Sequence, residues 1–228
     1  MKKLLAAVAV VVALAVGAPA QAQVSLDLKL AYAVPSGNLV TGGAMSDVWS
    51  GALPIEVAGR YRFTPNLSAG LYFQYAPGFI NSGCSAAGVS CSGYDMRFGL
   101  EAVYGFMPDG KVNPWVSLGT GWEWTRFSGS AADGSGGVTF SGWEYFNVQV
   151  GADFPVAKAF AIGPYVGFFG GSYSYASASG SVTTGASPAM KAAATVGGTS
   201  ASASGSIDSA FRTFHGWWQF GLKGTLNL

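Results

Sequence analysis

A two-residue hydrophobic period runs through most of the chain, and it restricts the fold more than any other feature. Val24, Leu26, Leu28, Leu30, Tyr32 and Val34 alternate with Ser25, Asp27, Lys29, Ala31 and Ala33. Successive side chains of a strand point to opposite faces, so this segment reads as a strand with one apolar face and one small or charged face. The pattern recurs as Leu53, Ile55, Val57, Tyr61 and Phe63 against Glu56, Ala58, Arg60 and Arg62. It continues as Leu67, Ala69, Leu71, Phe73 and Tyr75 against Ser68, Gly70, Tyr72 and Gln74. A fourth segment sets Tyr94, Met96, Phe98, Leu100, Tyr104 and Phe106 against Asp95, Arg97, Gly99, Glu101 and Gly105.

Later segments follow the same rule. Val116, Leu118, Trp122 and Trp124 oppose Ser117, Gly119, Gly121, Glu123 and Thr125. Phe146, Val148, Val150 and Phe154 oppose Asn147, Gln149, Gly151 and Asp153. A seventh segment, 160–175, is blurred by Pro164, Phe169 and Gly170-Gly171. The last is clear, with Trp218, Phe220, Leu222, Leu226 and Leu228 against Gln219, Gly221, Lys223, Thr225 and Asn227. Eight strands are therefore expected.

Connection lengths alternate as well. Thr64-Pro65-Asn66, Pro108-Asp109-Gly110-Lys111 and the segment 155–159 are tight-turn sequences, whereas 35–50, 77–92, 128–139 and 176–210 are long. Short turns at one end and long loops at the other is the arrangement of membrane β-barrels, with both chain ends on the short-turn side. The stretch 176–210 is Ser/Ala/Gly/Thr-rich; its alternation suits an extension of strands seven and eight, and its composition equally suits disorder.

A soluble barrel also alternates, with apolar residues inside and charges in water, so the polarity of the two faces decides between the alternatives. Charged residues are only 10% of the chain against the ~25% usual for soluble domains. The charged face mixes Asp27, Lys29, Glu56, Arg60, Arg62, Asp95, Arg97, Glu101, Glu123, Asp153 and Lys223 with Gly and Ser, which suits a cramped interior. The apolar face carries Tyr32, Tyr61, Tyr75, Tyr94, Tyr104, Trp122, Trp124 and Trp218 near strand ends, where aromatic girdles meet lipid interfaces. A sheet in lipid cannot keep open edges and must close. The expected fold class is all-β, an eight-stranded antiparallel up-and-down transmembrane β-barrel; a lipocalin-like soluble binding barrel is the alternative.

The beginning of the chain bears on its destination. Lys2 and Lys3 precede the apolar run 4–16, Gly17-Ala18-Pro19 breaks it, and Ala20-Gln21-Ala22 offers a small-residue cleavage site. Residues 1–22 read as a secretory signal peptide, leaving 23–228 as the barrel. Without Lys2 and Lys3 the mature chain carries ten basic and eleven acidic groups, so it lacks the basic footprint of a nucleic-acid-binding protein. Cys84 and Cys91 are the only cysteines, and in an exported protein the pair reads as a disulfide. Two thiols without a nearby His or third Cys do not complete a zinc shell, so no metal is expected.

In topology, over 24–228, the chain resembles the small bacterial outer-membrane barrels of the OmpA, OmpX and OmpW type. Members of that group end in a strand with an aromatic last residue, read by the barrel-assembly machinery; here the terminal strand ends in Leu226-Asn227-Leu228, with Leu in the aromatic position. The resemblance implies the outer membrane as location. It implies membrane lipid, lipopolysaccharide and the assembly machinery as partners, and a monomer as the state. Some such barrels modify lipid A with a His, a Ser and an acid. His215 is the sole histidine, but Phe214-His215-Gly216-Trp217 lacks the Ser that lipid A deacylases place two residues after their His.

No catalytic residue, cofactor or cofactor site is indicated. The ten charges Asp27, Lys29, Glu56, Arg60, Arg62, Asp95, Arg97, Glu101, Glu123 and Lys223 are expected to form an interior ion-pair network with a structural role, because an unpaired buried charge is costly. The functional expectation is a non-enzymatic barrel with a structural or surface-interaction role. Alternatives are a narrow channel or transporter for small or hydrophobic solutes, and a lipid A-modifying enzyme.

Overall fold

The computed structural model describes residues 24–81, 90–131, 134–180, 203–206 and 212–228. Strand β1 (Val24–Val40) is followed by β2 (Gly43–Ala44), helix α1 (Met45–Val48), β3 (Trp49–Ala52) and β4 (Ile55–Arg62). Then come β5 (Leu67–Ile80), β6 (Ser90–Gly105), β7 (Asn113–Ala131), β8 (Gly134–Ala157), β9 (Phe160–Gly180), β10 (Ala203–Ser206) and β11 (His215–Asn227). The signal-peptide expectation at 1–22 falls outside the described residues, as does Cys84; Cys91 lies on β6.

Eight staves close into a ring, in the order β1, β3–β4, β5, β6, β7, β8, β9, β11 and back to β1, each antiparallel to its neighbours. The second stave is split at Leu53-Pro54. Pro54 has no N–H for the ladder, but Ala31 N donates to Pro54 O (3.1 Å) and Leu53 N donates to Pro77 O (2.9 Å), so the wall stays stitched. The last stave returns to the first with Ser25 opposite Asn227 and Gly37 opposite His215, which puts the start of β1 and the end of β11 together on the short-turn side.

Face polarity excludes the soluble alternative. Val57 and Leu71 are each 50% exposed, Leu100 59% and Leu118 61%, whereas Asp27, Lys29, Glu56 and Arg97 are each 1% exposed. Only a solvent of lipid makes an apolar outside and a charged inside the favourable arrangement. Girdles flank the apolar band. Tyr61–Phe63 and Tyr104–Phe106 contacts lie toward the short turns, and Tyr75–Tyr94, Trp122–Trp143 and Phe168–Trp218 contacts toward the long loops.

The segments expected as long loops are in large part strand. β1 runs on to Val40, β5 to Ile80, β7 to Ala131 and β9 to Gly180, and β6 and β8 begin at Ser90 and Gly134. Crossing a bilayer takes about 9–11 residues of tilted strand, yet β7 has 19, β8 24 and β9 21. The surplus forms a wing that rises above one side of the barrel. Gly and Ser in these stretches offer no hydrophobic contrast, so their alternation is a weak strand signal, while backbone pairing with a neighbouring strand needs no side-chain contrast. In 176–210, Ala203–Ser206 pairs with β9 as an extension of the sheet, and 181–202 and 207–211 lie outside the described residues.

The blurred seventh segment is strand β9. Its inward residues are Tyr165, Phe169 and Tyr173 rather than charges, so both faces are apolar and the period-two contrast is lost.

Candidate functional site

Among the described residues, the buried charged side chains lie in the lumen, in tiers fixed by strand register. At the short-turn end, Asp27 pairs with Arg60 at 2.5 Å and Lys223 with Asp153 at 2.9 Å. Lys223 also stands 3.8 Å over the ring of Trp115, whose Nε1 donates to Asp153 at 3.0 Å. A cation over an indole face that is itself hydrogen-bonded holds two flexible groups in one arrangement.

The second tier centres on Lys29. Its ammonium donates to Glu56 at 2.6 Å, to Gln149 at 2.9 Å and to Glu101 at 3.1 Å. Three donors meet three acceptors drawn from three other staves, which uses the full capacity of the group. Beside it Gln219 donates to Gln74 (2.9 Å).

Arg97 organises the third tier. It lies 2.9 Å from Asp95, 3.1 Å from Glu123 and 3.6 Å from Glu144, with its guanidinium carbon 5.1 Å from the Phe169 ring centre. Glu144 accepts from the Tyr72 hydroxyl and from Asn147, both at 2.6 Å. Glu123 accepts from the Tyr173 hydroxyl at 2.9 Å and meets His215 Nε2 at 3.0 Å. Thr125 donates to Asp95 at 2.7 Å. The imidazole of His215 stacks on Tyr173 with ring centres 3.9 Å apart.

Above the charges sits an apolar plug. Met45 of α1 and Trp49 of the wall strand β3 are fully buried, in a cluster with Leu39, Phe140, Phe169, Tyr173 and Trp217; Phe127 and Val138 of the wing pack on the same cluster. Trp49 touches Phe127 at 4.9 Å and Trp217 at 5.5 Å between ring centres. Gly78 and Gly93, opposite each other on β5 and β6, make the berth: a Cβ on Gly78 would fall inside the Trp49 indole, and one on Gly93 would lie 2.8 Å from it.

Of the ten charges expected in the lumen, nine are buried and each of those nine has an ion-pair partner among the described residues. Arg62 stands apart, half-buried at the short-turn mouth and donating to Asn227 at 2.8 Å. It is the last residue of β4, one step beyond the enclosed tiers. His215, the sole histidine, is an interior residue, 1% exposed, beneath the plug.

Sequence reasoning missed Glu144, Trp115 and Tyr173. Strict alternation from Phe146 puts Glu144 on the lipid face, but a β-bulge sets Tyr145 and Phe146 together opposite Thr120. Tyr145 and Phe146 are 55% and 36% exposed and Glu144 is buried, because the extra residue reverses the phase of the strand. A signal was present, since Trp143 and Tyr145 are out of phase with Phe146, Val148 and Val150. Among the described residues no cluster of His, Cys, Asp and Glu is arranged to hold a metal ion.

No protein-family model matches the chain, and no curated protein matches it. Among solved structures it is similar to a major outer membrane protein from Thermus thermophilus, with TM-score 0.55 and 10% identity over 89% of this chain and 99% of that one. Neisserial surface protein A matches with TM-score 0.45 and 14% identity over 92% of this chain and 100% of that one. OprG from Pseudomonas aeruginosa matches with TM-score 0.46 and 10% identity over 91% and 98%. At 10% identity the likeness to the Thermus thermophilus protein concerns the β-barrel fold alone.

Proposed function

We propose that this chain is a non-enzymatic outer-membrane barrel with a closed lumen, serving a structural or surface-interaction role. The observation that carries the reading is the double seal: the Arg97 tier, and above it the Trp49–Trp217 plug under α1. Eight strands leave room only for side chains to fill, and here large ones fill it at successive levels. A reaction centre needs access for its substrate, and His215 and Glu123 lie beneath the plug with their facing atoms already engaged. The sheet closes within one chain, which supports a monomer as the working unit. Lipopolysaccharide and membrane lipid are the partners in this reading, with the assembly machinery acting during insertion.

Planar-bilayer recording tests it. The intact protein, inserted and verified by a heat-dependent gel shift, is expected to give no unitary current steps. Regular steps from the intact protein would overturn the closed-barrel reading.

One observation favours a second reading, a gated conduit for small solutes. A vestibule of about 350 Å³ opens at the short-turn end, lined by Arg60, Arg62, Asn66, Asn113, Lys158 and Asn227. In that case Trp49→Ala alone would produce current, whereas in a doubly sealed lumen the Arg97 tier keeps the variant silent.

A further inference from the structure

The wing has two different faces. Phe127, Val138 and Phe140 turn inward onto the plug, while the other face of β6, β7, β8 and β9 presents a groove of about 410 Å³ directed away from the mouth. Serines dominate its lining, among them Ser90, Ser92, Ser128, Ser130 and Ser179, and Arg126 is the charged residue within it. We propose that this groove holds the phosphorylated sugar headgroup of a glycolipid of the surrounding outer leaflet, with Arg126 on the phosphate and the serine hydroxyls on the sugar.

Arg126 is exposed, and among the described residues no carboxylate pairs with it. In register it lies between Tyr94 of β6 and Thr139 of β8, two residues beyond Trp124. Two residues of strand span about 7 Å, so the guanidinium stands just above the aromatic girdle, at headgroup height. Gly137 on β8 adjoins it: a Cβ there would lie 3.8 Å from Arg126 Nε and 3.3 Å from Ser128 Oγ.

Guanidinium matches phosphate oxygens bidentately, and hydroxyls that both donate and accept match a sugar. Direction identifies the source. The groove opens sideways from the wall, and Trp122, Trp124 and Trp143 continue below it into the apolar band that acyl chains would follow. A soluble saccharide gains nothing from that band; a membrane glycolipid uses both. The inference does not depend on whether the lumen conducts.

The test is binding of lipopolysaccharide to the refolded chain in detergent micelles, read as retained lipid by native mass spectrometry, with the heat-dependent gel shift showing that each variant is folded. Arg126→Gln is expected to weaken binding about tenfold, the loss of a charged hydrogen-bonding partner. Enzymatically dephosphorylated lipopolysaccharide should bind the native protein as weakly as intact lipid binds that variant. Gly137→Val, which fills the space beside the guanidinium, should weaken binding in the same sense. Lys158→Gln, at the opposite mouth, should change nothing. Unchanged binding by Arg126→Gln, or indifference to dephosphorylation, overturns the proposal. Equally tight binding of the deacylated, water-soluble headgroup would assign the groove to a soluble saccharide and overturn the glycolipid.

Discussion

The hydroxyl of Tyr72 on β5 reaches across the lumen to donate a 2.6 Å hydrogen bond to Glu144 on β8. The ring fits because its neighbours are glycines: a Cβ on Gly99 would lie 2.7 Å from Tyr72 Cε1, and one on Gly121 2.6 Å from its hydroxyl. Tyr72→Phe removes one partner of a buried carboxylate and is expected to cost about 1–3 kcal/mol. Gly121→Val is expected to cost more, since it displaces the ring and strains the wall. Urea unfolding in phospholipid vesicles, followed by tryptophan fluorescence, measures both.

Lys29 is the only cation hydrogen-bonded to Glu56 and Glu101 among the described residues. Lys29→Met leaves two enclosed carboxylates without their counter-charge, and a loss of about 3–5 kcal/mol is expected. Lys29→Met combined with Glu56→Met should recover part of that loss, because the uncompensated charge is reduced. A double variant no more stable than the single one would show that the energy lies in packing instead.

Trp49 can seat only while Gly78 and Gly93 lack side chains. Gly78→Val is therefore expected to expel the Trp49 indole and release α1 from the mouth. Limited chymotrypsin digestion reads this directly: cleavage at Leu39, Met45 or Trp49 should appear in the variant and be absent from the native barrel. The gel shift should persist, because β4 keeps the second stave paired with β1 and β5 below the plug.

Leu100 faces outward, between Tyr94 toward one girdle and Tyr104 toward the other. In a water-soluble protein an exposed leucine can be replaced by lysine at little cost. In a bilayer the same change near mid-depth is expected to cost about 2–4 kcal/mol. Vesicle unfolding of Leu100→Lys beside Asp109→Lys in the short turn separates the two environments, since the second position is an exposed turn residue outside the apolar band and should be nearly silent.

Much of the barrel is legible in the residues because burial in this fold alternates one by one along a strand. Asp27 and Lys29 between Leu26, Leu28 and Leu30 mark two faces whatever the rest of the chain does. Where both faces are alike, as along Tyr165, Phe169 and Tyr173 or through the serines of the wing, the same rule carries little information. Where the backbone slips by one residue, as at Tyr145, the rule puts Glu144 on the wrong side.

Strand number, the face that meets lipid and the identity of nine lumen charges follow from local alternation and composition, properties each segment carries within itself. Which partners the charges choose and how the mouth is sealed depend on residues far apart in the chain. Lys29 meets Glu101 across 72 positions and Gln149 across 120, and those meetings are set by the register and diameter of the closed ring. Trp49 becomes a plug because Gly78 and Gly93 lie beside it in space. Pairing across a lumen is a three-dimensional relation, which a period along one strand does not encode.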